Sequence, residues 1–101
     1  MTLKSGIEIP VELVSEMCGR YDIAEFAVFG SAARGDMGAE SDIDVMVEFS
    51  PEARVGILRF AELNEELERL LGRRVDLVTK SGLKPWVRGN VVREAQVVFA
   101  R

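Results

Sequence analysis

The sequence contains no histidine and a single cysteine, Cys18, among its 101 residues. The missing histidine excludes Ser-His-Asp and Cys-His catalysis as well as histidine-based zinc sites. One cysteine cannot form an intrachain disulfide or a cysteine-rich metal site, so Cys18 is interpreted as a small apolar residue on a helix. Any chemistry of this chain therefore depends on other side chains.

Long apolar runs are missing as well, and positive charge is in deficit. No segment approaches the ~20 apolar residues of a membrane-spanning helix, and the opening MTLKSGIEIP lacks the apolar core of a signal peptide. We therefore expect a cytoplasmic protein without membrane contact. The net charge of -4 and the pI near 4.9 argue against extended nucleic-acid binding, which depends on many Lys and Arg contacts to phosphate.

The length fits a single domain over residues 1–101, because domains typically have about 100–150 residues. Residues 31–40 are small and polar, which is typical of a loop or a short helix. The predicted order of elements indicates an α+β fold in which helices cover one face of a small mixed β-sheet. Apolar periodicity predicts helices at Pro10–Cys18, Val55–Leu71 and Pro85–Ala95, and strands at Ile23–Phe29, Ile43–Phe49, Arg74–Val78 and Val97–Phe99.

Two aspartates, Asp42 and Asp44, stand one residue apart at the start of the strand Ile43–Phe49. The period of two puts both side chains on one face of the strand, with their Cα atoms about 6.6 Å apart. Two such charges repel each other, and Mg²⁺ relieves that repulsion because it binds one or two carboxylates together with water and phosphate oxygens. The alternative is a solvated strand end in which the two aspartates have no function.

Two further features favour the metal interpretation. Gly30-Ser31 directly follows the preceding strand, where glycine lets the backbone approach a ligand and serine offers a hydroxyl and an N–H to phosphate; a tight turn would use the same glycine. Asp76 interrupts the third apolar strand, where a charge needs either a metal or an ion pair with Arg73 or Arg74. If the strand of Asp76 lies beside the strand of Asp42 and Asp44, three carboxylates gather on one sheet face, and without histidine this set suits two-metal phosphoryl transfer.

Together these residues resemble the signature of the DNA polymerase beta-type nucleotidyltransferase superfamily. The pattern consists of Gly30-Ser31, Arg34-Gly35, Ser41-Asp42-Ile43-Asp44 and the later Asp76. Its spacing, GSxxRGxxxxxSDID, is most similar to the minimal branch of the superfamily, the MNT-domain proteins. The order of the predicted elements agrees as well, so the resemblance spans nearly the whole chain and implies a nucleotidyltransferase fold.

The resemblance also implies a role for the main residues of the motif. Asp42 and Asp44 would hold two Mg²⁺ ions. Asp76 would bind the catalytic metal and help to deprotonate the attacking hydroxyl. Gly30 and Ser31 would hold the triphosphate of ATP or of another NTP.

Three further positions of the motif are less characteristic. Arg34 is a candidate phosphate contact, although an exposed turn arginine would look the same, and Ser41 belongs to the nucleotide-binding set implied by the resemblance. Ala32 departs from many relatives, which carry a larger or basic residue there. An additional phosphate contact from this position is therefore not expected.

The implied reaction is the transfer of NMP, in particular AMP, from an NTP to a hydroxyl group with release of pyrophosphate. Family members of this size are commonly the antitoxins of HEPN toxins, and some transfer AMP to a tyrosine of the toxin. Two alternatives remain: a non-catalytic antitoxin that neutralises its partner by binding alone, and nucleotidyl transfer to a small molecule such as an aminoglycoside. A DNA-binding antitoxin is disfavoured by the acidic balance.

Overall fold

The computed structural model describes residues 1–36, 38 and 41–101. Helices and strands alternate over much of this part of the chain. In chain order the elements are α1 (Val11–Arg20), β1 (Ile23–Phe29), α2 (Gly30–Arg34), β2 (Ile43–Phe49), α3 (Ile57–Leu71), β3 (Val75–Thr79), α4 (Pro85–Glu94) and β4 (Gln96–Ala100).

The observed bounds follow the predicted ones closely, and the differences have local causes. The strands β1 and β2 have the predicted bounds, and the last predicted strand is β4. Helix α3 begins later than predicted, because Gly56 has an extended backbone and caps the helix. It ends at Gly72, whose left-handed φ of 67° satisfies the usual geometry of a helix C-terminus. Of the predicted loop or short helix at residues 31–40, α2 is the helical part, and residues 37, 39 and 40 lie outside the described residues.

The sheet is mixed, as predicted, with strand order β3-β2-β1-β4. Strand β1 is antiparallel to both β2 and β4, whereas β2 and β3 are parallel. A parallel pair needs a crossover connection between its strands, and α3 provides it. This connection places the start of β3 beside the start of β2.

The main core lies between one face of the sheet and the helices α1 and α3. On the opposite face, Val91 of α4 packs with Ala27 and Met46. Helices α1 and α3 therefore cover one face as predicted, and α4 adds a partial cover to the other face, which the sequence pattern did not indicate. Residues that are fully buried in the main core include Val14, Phe26, Ile43, Val45, Leu63 and Leu67.

Cys18 is part of the main core, in agreement with its interpretation as a small apolar residue of a helix. Burial raises the pKa of its thiol to about 11. The thiol therefore stays protonated at neutral pH and is a poor nucleophile.

None of the helices in residues 1–36, 38 and 41–101 is long and apolar enough to cross a membrane.

The core assignment can be tested on α3. Leu63 is fully buried, so Leu63→Ala should lower the free energy of unfolding by about 2–5 kcal/mol through lost contacts and a residual cavity. Urea denaturation followed by circular dichroism measures this change. Leu58→Ala is the matched control, because Leu58 lies on the same helix and is 78% exposed. It should shift the free energy of unfolding by less than about 0.5 kcal/mol, and equal losses in both variants would contradict the assignment.

Candidate functional site

Two of the predicted carboxylates lie opposite each other on neighbouring strands. The parallel register of β2 and β3 pairs Asp44 directly with Asp76. Asp44 is half-buried and Asp76 is exposed. Their strand neighbours Val45 and Val75 belong to the main core. Because side chains alternate along a strand, both aspartates lie on the opposite, less covered face of the sheet.

The third predicted carboxylate, Asp42, lies close enough for its negative charge to act on Asp44. It precedes β2 and is exposed. Burial is the largest cause that raises the pKa of Asp44 above its ordinary value, followed by the negative charges of Asp76 and Asp42, and Arg34 acts in the opposite direction. The charges of Asp42 and Asp76 therefore both act on Asp44. Within the described ranges, no three potential metal ligands are already arranged around a common point.

Gly30 lies directly against the Asp44 carboxylate. The register of β1 and β2 pairs Phe29 with Asp44, so the chain that leaves β1 passes over this aspartate. Gly30 has a φ of 69°, and a Cβ atom at this position would lie 2.2 Å from Asp44 Oδ2. Only glycine permits both the left-handed backbone and the close approach. The predicted backbone approach at Gly30 thus exists, and its immediate neighbour is a carboxylate.

The nucleotide-binding candidates Ser31 and Arg34 lie on α2, which begins at Gly30. Ser31 is half-buried, and its carbonyl oxygen accepts the N–H of Gly35 at 2.9 Å. Arg34 is exposed and forms ion pairs with Glu94 at 3.2 Å and with Asp36 at 3.4 Å. The hydrogen bonds to Glu94 and then to Asp36 raise the pKa of Arg34, and the positive charge of Arg34 acts against the other effects that raise the pKa of Asp44.

Ser41 lies in the segment that precedes β2. Its hydroxyl oxygen accepts the backbone N–H of Gly38 at 3.1 Å, and its carbonyl oxygen accepts Arg73 Nη1 at 3.5 Å. Both contacts stabilise the approach to Asp42. The structure therefore gives Ser41 a supporting position next to the predicted carboxylates.

Sequence reasoning missed one residue of the site, Glu94. Its carboxylate accepts a hydrogen bond from the backbone N–H of Gly30 at 3.2 Å and two from Arg34 Nη1, at 3.2 and 3.3 Å. These partners are far from Glu94 in the sequence, so no periodic pattern connects them. One signal was available: Glu94 is the last residue of α4, where the helix dipole disfavours a negative charge.

The site combines acceptors for a cation with donors for an anion. Asp42, Asp44 and Asp76 provide only oxygen atoms, which are the atoms that a hard divalent cation prefers. Burial and then the negative charges of Asp76 and Asp42 raise the pKa of Asp44, and such a cation would offset these unfavourable effects on the ionised carboxylate. The Gly30 N–H and the Arg34 guanidinium donate beside them. The residues present thus fit a divalent cation that bridges carboxylates and a phosphate group.

The contact between Gly30 and Asp44 predicts the effect of adding one methyl group. Gly30→Ala should lower the free energy of unfolding by about 1–3 kcal/mol, because alanine is strained at positive φ and its Cβ displaces the Asp44 carboxylate. Gly19→Ala is the control, since Gly19 lies within α1 with nothing near its Cβ position. It should be neutral or stabilise the helix by up to about 1 kcal/mol. Urea denaturation measures the free energy of unfolding of both variants. A Gly30→Ala variant with unchanged stability would contradict the close approach of Gly30 to the Asp44 carboxylate.

The raised pKa of Asp44 predicts a pH dependence of stability in the presence of a chelator. The folded state binds the Asp44 proton more tightly than the unfolded state, so this group stabilises the fold below its ordinary pKa of 3.8. That contribution is lost as the pH rises through the raised value. Asp44→Asn, which cannot ionise, should therefore have a higher Tm than the wild type at neutral pH.

The pH dependence of the Tm difference provides an internal control for this prediction. The difference in Tm between Asp44→Asn and the wild type should shrink as the pH falls through the raised pKa of Asp44, because this carboxyl group of the wild type then becomes protonated. Glu65→Gln removes an exposed charge on α3 and should show no such trend. A wild type that is more stable than Asp44→Asn at neutral pH would contradict the assigned repulsion.

Comparisons with known proteins establish the family and the fold of the chain. The family model of the nucleotidyltransferase domain matches residues 11–98. The protein adenylyltransferase MntA of Thermococcus cleftensis is 46% identical over 98 residues, which cover 97% of each chain. The solved structure of a minimal nucleotidyltransferase is 42% identical, with a TM-score of 0.73 over 85% of this chain and 86% of that chain.

A more distant solved structure shows a likeness of fold alone. It contains the tri-AMPylated HEPN toxin of Shewanella oneidensis in complex with an MNT antitoxin. The identity is 18% and the TM-score 0.63, over 90% of this chain and 70% of that chain. The fold class and the enzyme class predicted from the sequence, an α+β nucleotidyltransferase, are confirmed by the family and its close relatives. The chain belongs to the nucleotidyltransferase domain family.

Proposed function

We propose that this protein transfers AMP from ATP to a hydroxyl group of a partner protein, a tyrosine of a HEPN toxin, and thereby acts as its antitoxin. One observation carries the catalytic part of this proposal. The parallel register pairs Asp44 with Asp76 beside the backbone of Gly30, so carboxylates and an N–H donor meet at one end of the sheet. A phosphoryl-transfer site needs both, a place for a cation and a place for phosphate.

The acidic side chains would hold magnesium. Asp42 and Asp44 would provide the bridging carboxylates, and Asp76, opposite Asp44, would provide the third. When bound, Mg²⁺ neutralises the charge of the phosphate groups and favours the ionised form of an attacking hydroxyl. Glycine at position 30 keeps the space around Asp44 Oδ2 free of a side chain, so this carboxylate would remain accessible to the cation.

The neighbouring donors would bind the triphosphate. Gly30 offers its N–H, Ser31 its hydroxyl and N–H, and Arg34 its guanidinium group, while Ser41 supports the segment that carries Asp42. These groups would orient the nucleotide so that the leaving pyrophosphate lies opposite the entering oxygen. Binding and orientation are the main work that a protein performs in this type of reaction.

The reaction itself forms one bond and breaks one. The acceptor oxygen attacks the α-phosphorus of ATP, and the bond from that phosphorus to the oxygen shared with the β-phosphate breaks. The electron pair leaves with pyrophosphate. The proton of the hydroxyl passes to Asp76, which is exposed and therefore open to an acceptor that arrives from outside.

The nature of the acceptor is supported by the relatives. The Thermococcus cleftensis homologue is named a protein adenylyltransferase, and the more distant MNT antitoxin accompanies an AMPylated HEPN toxin. The less covered face of the sheet, with the carboxylates at its edge, leaves room for a second protein. A protein acceptor fits this open site better than a small molecule, which needs an enclosing pocket.

The test is label transfer from ATP that carries its label on the α-phosphate. The protein is incubated with Mg²⁺ and with the product of the neighbouring gene as the candidate HEPN partner, and label on that product is measured. Asp42→Asn/Asp44→Asn should reduce the transfer by at least about 100-fold, because it removes direct metal ligands. Glu65→Gln, which removes an exposed charge far along the chain from the motif, should transfer normally.

Two outcomes would contradict the proposal in different ways. Absence of label from any NTP, with tight binding of the two proteins, would leave an antitoxin that acts by binding alone. Label that persists at full rate in the double variant would exclude these carboxylates from catalysis.

A further inference from the structure

Glu94 occupies the donors that the proposed function assigns to phosphate. Its carboxylate accepts the Gly30 N–H at 3.2 Å and contacts Arg34 Nη1 at 3.2 and 3.3 Å. It thus bridges the end of α4 and both ends of α2. The role of Glu94 inferred below rests on the proposed function, because that proposal places the triphosphate at Gly30 and Arg34.

A carboxylate and a phosphate compete for such donors. Both groups are anions that accept hydrogen bonds and donate none when ionised. The backbone N–H of Gly30 has a single hydrogen, which Glu94 already uses. Both oxygens of Glu94 lie within hydrogen-bond distance of Arg34 Nη1. A phosphate oxygen can take the same positions only after the Glu94 carboxylate has moved.

The contact of Glu94 with Gly30 and Arg34 can be broken at a small cost in free energy. The side chains of Glu94 and Arg34 are 30% and 48% exposed, so water screens the ion pair and its net stabilisation is small. Glu94 is the last residue of α4, and the chain continues directly into the extended Ala95. Rotation of one side chain at a helix end therefore suffices to release both donors.

The contacts of Glu94 with α2 also explain why a negative charge is present at the C-terminus of α4, where it is otherwise unfavourable. A glutamate at a helix C-terminus opposes the helix dipole, whereas the basic residue Arg93 beside it complements the dipole. The hydrogen bonds to Gly30 and Arg34 offset this cost. Val91, which anchors α4 on Ala27 and Met46, fixes the end of the helix near α2.

We infer that Glu94 is a built-in competitor of the nucleotide: its carboxylate occupies the phosphate-binding donors Gly30 and Arg34 in the free protein and must be displaced when ATP binds. The free protein thereby keeps a moderate affinity for ATP. Removal of the Glu94 charge should strengthen nucleotide binding, although it removes an ion pair.

The experiment is calorimetric titration of the full chain with ATP and, separately, with inorganic tripolyphosphate, both with Mg²⁺. Glu94→Gln keeps the size of the side chain and removes its charge. It should lower the Kd of both ligands by about fivefold, the equivalent of one exposed ion pair. Glu65→Gln, the charge control on α3, should leave both Kd values unchanged.

A double variant tests the mechanism of the gain. In an Arg34→Gln background, Glu94→Gln should improve binding by clearly less than in the wild type, because the ion pair that it releases is already absent. Equal gains in the two backgrounds would show a general charge effect and overturn the inference.

The remaining outcomes separate this inference from the proposed function. An unchanged or weakened affinity in Glu94→Gln, with normal label transfer by the wild type, would overturn the competitor and leave the transferase. A higher affinity for ATP without a higher affinity for tripolyphosphate would show that Glu94 acts on the nucleoside and would also overturn the inference. Absence of ATP binding in all variants, together with absence of label transfer, would overturn both.

Discussion

The contact between the backbone of Gly30 and the carboxylate of Asp44 is the constraint on which the site depends. It exists because the antiparallel register puts Phe29 opposite Asp44, and the chain then turns into α2 directly over that aspartate. The turn needs a left-handed φ, and the approach leaves no room for a side chain. One residue type therefore connects the end of β1, the start of α2 and the carboxylate of β2.

One face of the sheet provides most of the apolar core, and the other face contains the candidate site. The face covered by α1 and α3 contains the fully buried apolar side chains and provides the hydrophobic stabilisation. The other face combines a small apolar cluster under α4 with the aspartates at the edge of the strands. The apolar core offsets the cost of an ionised Asp44, whose pKa is raised by burial and then by the charges of Asp76 and Asp42.

Much of the fold was predictable, because local patterns determine it. Alternating apolar residues predicted β2 with its observed bounds, and an apolar stripe predicted α3 up to its cap at Gly72. The carboxylate and glycine positions followed from a specific motif. The pairing of Asp44 with Asp76 was only a condition of the argument, because strand order and register depend on contacts between distant segments. The role of Glu94 and the partial cover of the sheet by α4 were missed for the same reason, because both depend on contacts between distant segments.

The parallel pairing of β2 and β3 has a consequence for the lifetime of the protein. Asp44 and Asp76 are far apart in the chain and become neighbours only after α3 has crossed over the sheet. A fragment or a partly folded chain therefore contains no assembled site. A ligand that contacts both strands opposes opening of the whole domain, since it binds the native state and not the unfolded one. Occupancy of the proposed site would therefore slow proteolysis, which attacks opened chains, and would couple the abundance of the protein to the supply of its ligand.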